Sequence, residues 1–319
     1  MSLPSRPLRV LLDTDPGIDD ALAILLALAS PEIDLAALAV VHGNCALSEA
    51  VRNGLDVLAL GGAAHIPVAA GCDRPLLRPR FHAPEVHGVS GLGYAALPPS
   101  PAAAVAEHAV DLLIREVMAA PGEVTLVAVG PLTNVALAMR KEPRLAGSLR
   151  ELIYMGGAFR IEGNASPLAE FNVYADPHAA QIVFTSGAPI TIMPWDITRG
   201  VRITDVHIGR LLERGGPIAH FVAESTRYYM EMHRVRLGFA GCSLNDPAAL
   251  ALAYVPELAV TRPVNVEVEL SGELSVGKTV ADFLGKTDRA PNVRLVEQFD
   301  GEGFVEHFLT RIEALIDRA

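Results

Sequence analysis

Leu8-Arg9-Val10-Leu11-Leu12-Asp13-Thr14-Asp15-Pro16-Gly17-Ile18-Asp19-Asp20-Ala21-Leu22-Ala23-Ile24-Leu25-Leu26-Ala27-Leu28-Ala29 changes its period in the middle, and that change decides the fold. Residues 8–12 are a short, β-capable run, apolar but for Arg9, the pattern of a strand buried on both faces. Pro16-Gly17 interrupts it, and Asp19-Asp20 opens a helical run that lasts to about Ser30. The pattern then repeats. A second buried strand over 34–41 ends at His42-Gly43-Asn44, a helix follows over 47–60, and a short strand over 66–69. Alternating strand, loop and helix predicts βαβ units, and hence an α/β fold with a mostly parallel open sheet, Rossmann-like, flanked by helices.

The alternation resumes further on. Helices are expected over 101–119, 132–140 and 176–186, over most of 204–235, near Asp246, and from about 303. Strands are expected over 123–129, 150–155, 190–193 and 264–270. Two long Gly-containing segments, 71–100 and 156–172, are too long for routine connections and read as active-site loops. The chain shows no linker, repeat or low-complexity segment, so 1–319 is read as a single domain.

Composition excludes several classes. Half of the 319 residues are hydrophobic and mean hydropathy is +0.32. The longest apolar run, Ala21–Ala29, is nine residues, whereas a bilayer span takes roughly 20. No membrane span is expected, and residues 1–6 show no leader-like apolar stretch. The charge sum, 26 basic against 37 acidic residues for a net −11, suits small ligands and metal ions better than nucleic acid. Cys45, Cys72 and Cys242 form no close pair, which points to a reducing cytoplasm.

Asp13, Asp15, Asp19 and Asp20 fall within eight residues. Ligands of open parallel sheets bind outside the carboxyl ends of strands, where Asp13 and Asp15 lie. Asp19 and Asp20 sit on the first helical turn, where the dipole favours negative charge, so simple helix capping is the plain alternative. Four clustered carboxylates repel one another unless a cation lies among them, and an all-carboxylate set selects a hard ion, Ca²⁺ or Mg²⁺.

Asp13-Thr14-Asp15-Pro16-Gly17-Ile18-Asp19-Asp20-Ala21 resembles the signature of the nucleoside hydrolase family, inosine–uridine-preferring type. The resemblance continues in order along the chain. It takes in Val41-His42-Gly43-Asn44, Ala70-Gly71-Cys72, His87-Gly88-Val89-Ser90-Gly91-Leu92-Gly93 and Gly130-Pro131-Leu132-Thr133-Asn134. Met155-Gly156-Gly157, Glu162-Gly163-Asn164-Ala165, Ala169-Glu170-Phe171-Asn172, Asp176-Pro177 and Asn245-Asp246-Pro247 complete it.

The resemblance implies Ca²⁺-dependent hydrolysis of the N-glycosidic bond of ribonucleosides, giving free base and ribose. It implies calcium held by Asp15, Asp20, Asp246 and the backbone carbonyl of Val129, with a metal-bound water as nucleophile and Asp15 as general base. Asp19, Asn44 and Asn172 would bind the 2′- and 3′-hydroxyls of ribose, and Asn164 and Glu170 the 5′-hydroxyl. Asp13 would support the metal site from behind. Homodimers or homotetramers are implied as well.

The chain departs from the family at one position. Inosine–uridine-type members carry a His before the last calcium-binding Asp, as the acid for the leaving base, and purine-specific members a Trp; here it is Asn245, which has no proton to give. His87 and His233 are the candidate substitute acids, with Tyr228, Tyr229, Arg234 and Arg236 nearby. For His233 the plain alternative is a surface helix residue. Trp195, the lone Trp, follows a strand. Two other functions stay open. One is a haloacid-dehalogenase-type phosphatase using Asp13, which wants Thr or Val where Gly17 stands. The other is a non-catalytic nucleoside- or ribose-binding protein.

Overall fold

The computed structural model describes residues 6–318; residues 1–5, where no leader was expected, and residue 319 lie outside the described residues. The strands β1 (Leu8–Thr14), β2 (Ile33–Val40), β3 (Val68–Ala70), β4 (Val124–Ala128), β5 (Glu151–Met155) and β6 (Ile190–Met193) all run parallel. They lie in the order β3-β2-β1-β4-β5-β6. Strand Val293–Phe299 adds in parallel beside β6, and Ala259–Val264 closes that edge antiparallel, making eight strands. The chain therefore winds outward from β1 to β3, then returns to β1's other side with β4. That reversal places a crevice at the carboxyl ends of β1, β2 and β4.

Both sheet faces are covered, as the continuous apolar strands require. Val10 and Leu12 of β1 join one buried cluster while Leu11 joins the other; likewise Val127 of β4 faces one side, and Leu126 and Ala128 the opposite side. The high mean hydropathy is thus spent on a sheet with two cores. Among the described residues no helix is long and apolar enough to cross a membrane.

The helix Ile18–Ala29 carries the most consequence. All its residues except Leu28 are buried, and it packs against helices Leu47–Leu60, Asn245–Ala251 and Gly301–Ile316. A helix apolar on every side is a core helix. Its first turn, with Asp19 and Asp20, is therefore carried out of water along with the rest.

Several boundaries differ from the sequence reading, each for a local reason. The helix expected from 101 begins at Ala109, because the segment before it runs along the sheet edge and Val105 N–H donates to the Val68 carbonyl at 2.8 Å. The expected 204–235 helix is two, Asp205–Leu212 and Gly216–Leu237, separated where Gly215 and Gly216 take φ of 70° and 84°. The strand expected over 264–270 splits at Asn265. Its first part is the antiparallel edge strand, and Val266–Val268 pairs instead with Thr279–Ala281. Loop 71–100 contains a one-turn helix, Pro84–His87.

Leu25 lies in the buried helix with no exposed surface. Leu25→Ala is expected to cost about 2–5 kcal/mol in denaturant unfolding, through lost burial and the cavity left behind. Val206, 80% exposed on helix Asp205–Leu212, is the control, and Val206→Ser is expected to stay within about 0.5 kcal/mol of the parent.

Candidate active site

The crevice holds a cavity of about 610 Å³. Asp15 stands one residue beyond β1. Its Oδ2 accepts the Asn44 backbone N–H at 2.7 Å, and its Oδ1 is buried with no partner. Two glycines make room for this carboxylate. A Cβ on Gly43 would lie 1.9 Å from Oδ2, and one on Gly130 would lie 2.5 Å from Oδ1. The glycines after β2 and β4 thus let two neighbouring strand ends close around Asp15.

Asp20 is held by four donors. Thr14 Oγ1 (2.5 Å) and Asp15 N–H (3.1 Å) reach its Oδ1; Gly17 N–H (3.0 Å) and Asn44 Nδ2 (2.8 Å) reach its Oδ2. It caps its own helix, as the plain alternative holds, but it is buried and is also gripped from outside that helix. Asp246 arrives on the first turn of helix Asn245–Ala251. One carboxylate oxygen from each of Asp19, Asp20 and Asp246 lies within 4.8 Å of the others, and all three residues are buried. That trio differs from the implied ligand set, which has Asp15 where this geometry has Asp19.

Burial, then the charge of Asp20, pushes the Asp15 carboxyl well above the usual range; burial and the charge of Asp19 do the same to Asp246. Asp19 and Asp20 are also pushed up, chiefly by burial. Such a group of carboxylates takes up protons or a cation. The unpartnered Oδ1 of Asp15 and the close oxygens of the trio fit an oxygen-seeking metal ion.

Asp13 sits behind, fully buried and outside the cavity lining. Its Oδ2 accepts from Asn134 Nδ2 at 2.9 Å, and burial pushes it up to about 8. Asp15 and Asp20 also stand behind the lining side chains, with Asp19 and Asp246 at the cavity surface. The Val129 carbonyl accepts from Asn172 Nδ2 at 2.7 Å, and the same amide nitrogen reaches the Met155 carbonyl at 3.1 Å. Glu170 caps helix Phe171–Ala175, accepting from Asn172 and Gly157 N–H, both at 2.8 Å, and burial pushes it up to about 7. Asn164 is exposed at the rim, where its Oδ1 accepts Phe171 N–H at 2.8 Å.

At the other side of the cavity are His87, Tyr229, His233 and Asn245, all buried and all lining it. His233 is thus no surface residue: helix Gly216–Leu237 turns it inward. Burial pushes both His87 and His233 down to about 4. Trp195, one residue beyond β6 and its joining Pro194, also lines the cavity. Arg236 stands at its mouth, 3.5 Å from Glu85, while Arg234 is exposed. Tyr229, in the sequence only a neighbour of His233, belongs to the site. Its hydroxyl donates to Asp19 Oδ2 at 3.1 Å, and its spacing of four residues from His233 was the available signal.

The inosine-uridine preferring nucleoside hydrolase model matches residues 10–306. A pyrimidine-specific ribonucleoside hydrolase, RihA, from Citrobacter koseri is 41% identical over 313 residues, 98% of each chain. The inosine-uridine preferring nucleoside hydrolase of Crithidia fasciculata is 39% identical over 313 residues, covering 98% of this chain and 99% of its own. The solved purine-preferring ribonucleoside hydrolase from Gardnerella vaginalis superposes with a TM-score of 0.93 at 32% identity, across 98% of this chain and 100% of that one. With a match over nearly its whole length and relatives near 40% identity, this chain belongs to the inosine-uridine preferring nucleoside hydrolase family, whose members cleave N-glycosidic bonds.

Proposed function

We propose that the chain hydrolyses the N-glycosidic bond of ribonucleosides with a divalent cation, calcium, seated among its buried aspartates. Two observations carry this: the close, buried carboxylate oxygens of Asp19, Asp20 and Asp246, and the buried Oδ1 of Asp15 left without a partner. Asp15, Asp20, Asp246 and the Val129 carbonyl would hold the ion, an all-oxygen set that suits calcium. When bound, the cation supplies positive charge that acidifies a water molecule and orients the ribose diol.

The chain's own groups do the rest. Asp15 Oδ1 takes the proton of the attacking water. Asn44, anchored on Asp20, and Asn172, anchored on the Val129 carbonyl, flank the ribose hydroxyls together with Asp19. Glu170 and Asn164 reach the 5′-hydroxyl. Each of these groups already holds a protein hydrogen bond that fixes its direction, and a sugar hydroxyl would take up its remaining capacity, which favours ribose over deoxyribose. At neutral pH the His87 imidazole is neutral, so its Nε2–H would stabilise the departing base by a hydrogen bond and the base takes its proton from water; Asn245 gives no proton either. We place the protein in the reducing cytoplasm, consistent with three unpaired cysteines, as a homodimer or homotetramer like its implied relatives.

Asp15→Asn keeps the side chain's size and removes its proton acceptor. It is expected to lower kcat for ribose release by about 10²–10⁴-fold. Gly43→Ala forces a methyl into the space of Asp15 Oδ2 and is expected to lower kcat at least tenfold while the protein still unfolds cooperatively. Ribose release at parent rates by either variant refutes the role given to Asp15.

The raised carboxyls also set a pH dependence. Each binds a proton more tightly folded than unfolded, so its contribution to stability is full below about pH 4. That contribution is lost as pH rises through the folded values, about 7 for Glu170 and about 8 for Asp13. Chelated protein is expected to lose melting temperature between pH 6 and 8, and calcium, by binding the folded chain through Asp15, Asp20 and Asp246, to raise the melting temperature at pH 8. A calcium-independent melting temperature across that range contradicts the metal site.

A further inference from the structure

The base end of the cavity is short of donors. Tyr229 is committed: its hydroxyl donates to Asp19 Oδ2 at 3.1 Å and accepts from Asn245 Nδ2 at 3.2 Å. Asn245 Nδ2 also donates to Asp19 Oδ2 at 2.8 Å. A carboxylate accepts and does not donate, so this bond fixes which way the amide faces. What is left of Asn245 is Oδ1, an acceptor buried without a partner.

Two histidine rings pack on Tyr229, with centroids at 5.4 Å for His87 and 4.2 Å for His233. Their hydrogen bonds give them opposite polarity. His87 Nδ1 accepts the Ile18 backbone N–H at 3.1 Å, so its proton is on Nε2. His233 Nδ1 donates to the Tyr229 backbone carbonyl at 2.8 Å, so its Nε2 is a bare lone pair. Both residues line the cavity, and neither Nε2 has a partner among the described residues. The arginines at the mouth are held by glutamates: Arg199 by Glu162 at 2.7 Å, and Arg236 by Glu85 at 3.5 Å.

We infer that His233 is a specificity-determining residue that accepts a hydrogen bond from the base. The site then takes bases that present an acceptor to His87 and, next to it, an N–H donor to His233. This rests on the ribonucleoside hydrolase reading and names its preferred substrates. In a departing purine N7 is the acceptor beside position 6, which is an amino donor in adenine and an oxygen in hypoxanthine. In a departing pyrimidine O2 is the acceptor beside N3, which carries hydrogen in uracil and a lone pair in cytosine. Hypoxanthine and cytosine therefore set an acceptor against the His233 lone pair, leaving buried polar groups unpaired. Adenosine is preferred over inosine, and uridine over cytidine.

The test is kcat/KM for ribose release from these four nucleosides, measured on the calcium-loaded parent and on His233→Phe. Phe keeps an aromatic ring on Tyr229 and deletes the lone pair. A preference of at least about tenfold is expected in each ring class that is turned over, falling to within about twofold in the variant. A smaller or inverted ratio in the parent overturns the proposal, as does a ratio that survives in a folded His233→Phe. No ribose from any of the four ends the hydrolase reading instead. Calorimetric affinities of the parent for the same nucleosides then decide this proposal by the same order.

Discussion

The structure depends on one costly arrangement: several carboxylates held out of water at the start of a helix that is itself core. Helix Ile18–Ala29 is buried on every side, so Asp19 and Asp20 cannot turn to solvent. Burying unpaired charge costs several kcal/mol per ion after relaxation. The surroundings are built to offset this. Thr14, Asn44 and three backbone N–H groups of the 15–44 region donate to Asp15 and Asp20, and Asn245 and Tyr229 donate to Asp19. The cation proposed for the site would complete the compensation.

The same constraint explains the placing of small residues. Gly43 and Gly130 stand where the strand ends after β2 and β4 approach Asp15 most closely, and any side chain there displaces it. The sheet's reversal at β1 brings those two ends together. Topology, glycine placement and carboxylate chemistry are therefore one feature seen at three levels.

Much of this was legible in the sequence, because it is written locally. The period change at Pro16-Gly17 marks the first βα unit, and the continuous apolar strands mark a sheet covered on both faces. Asp13, Asp15, Asp19 and Asp20 stand out as four carboxylates within eight residues, and Asp246 enters through the family resemblance. What the sequence hid is written in tertiary contacts. Nothing local tells that the segment before Ala109 runs along β3, or that Asn265 divides two strands between different sheets. His233, a candidate acid with a helix surface as its plain alternative, is neither: the helix turns it inward beside Tyr229, and its one proton is held by the Tyr229 carbonyl. Asn245 was legible as a departure from the family pattern. Its meaning, an amide whose donors are consumed by Asp19 and Tyr229, depends on partners 226 and 16 residues away.

The central claim is that the buried aspartates exist to hold a divalent cation. Elemental analysis of the purified, catalytically active protein tests it most directly. The account predicts one divalent ion per chain, calcium, lost in parallel with activity on dialysis against chelator. Full ribonucleoside turnover by protein carrying no divalent ion would contradict it.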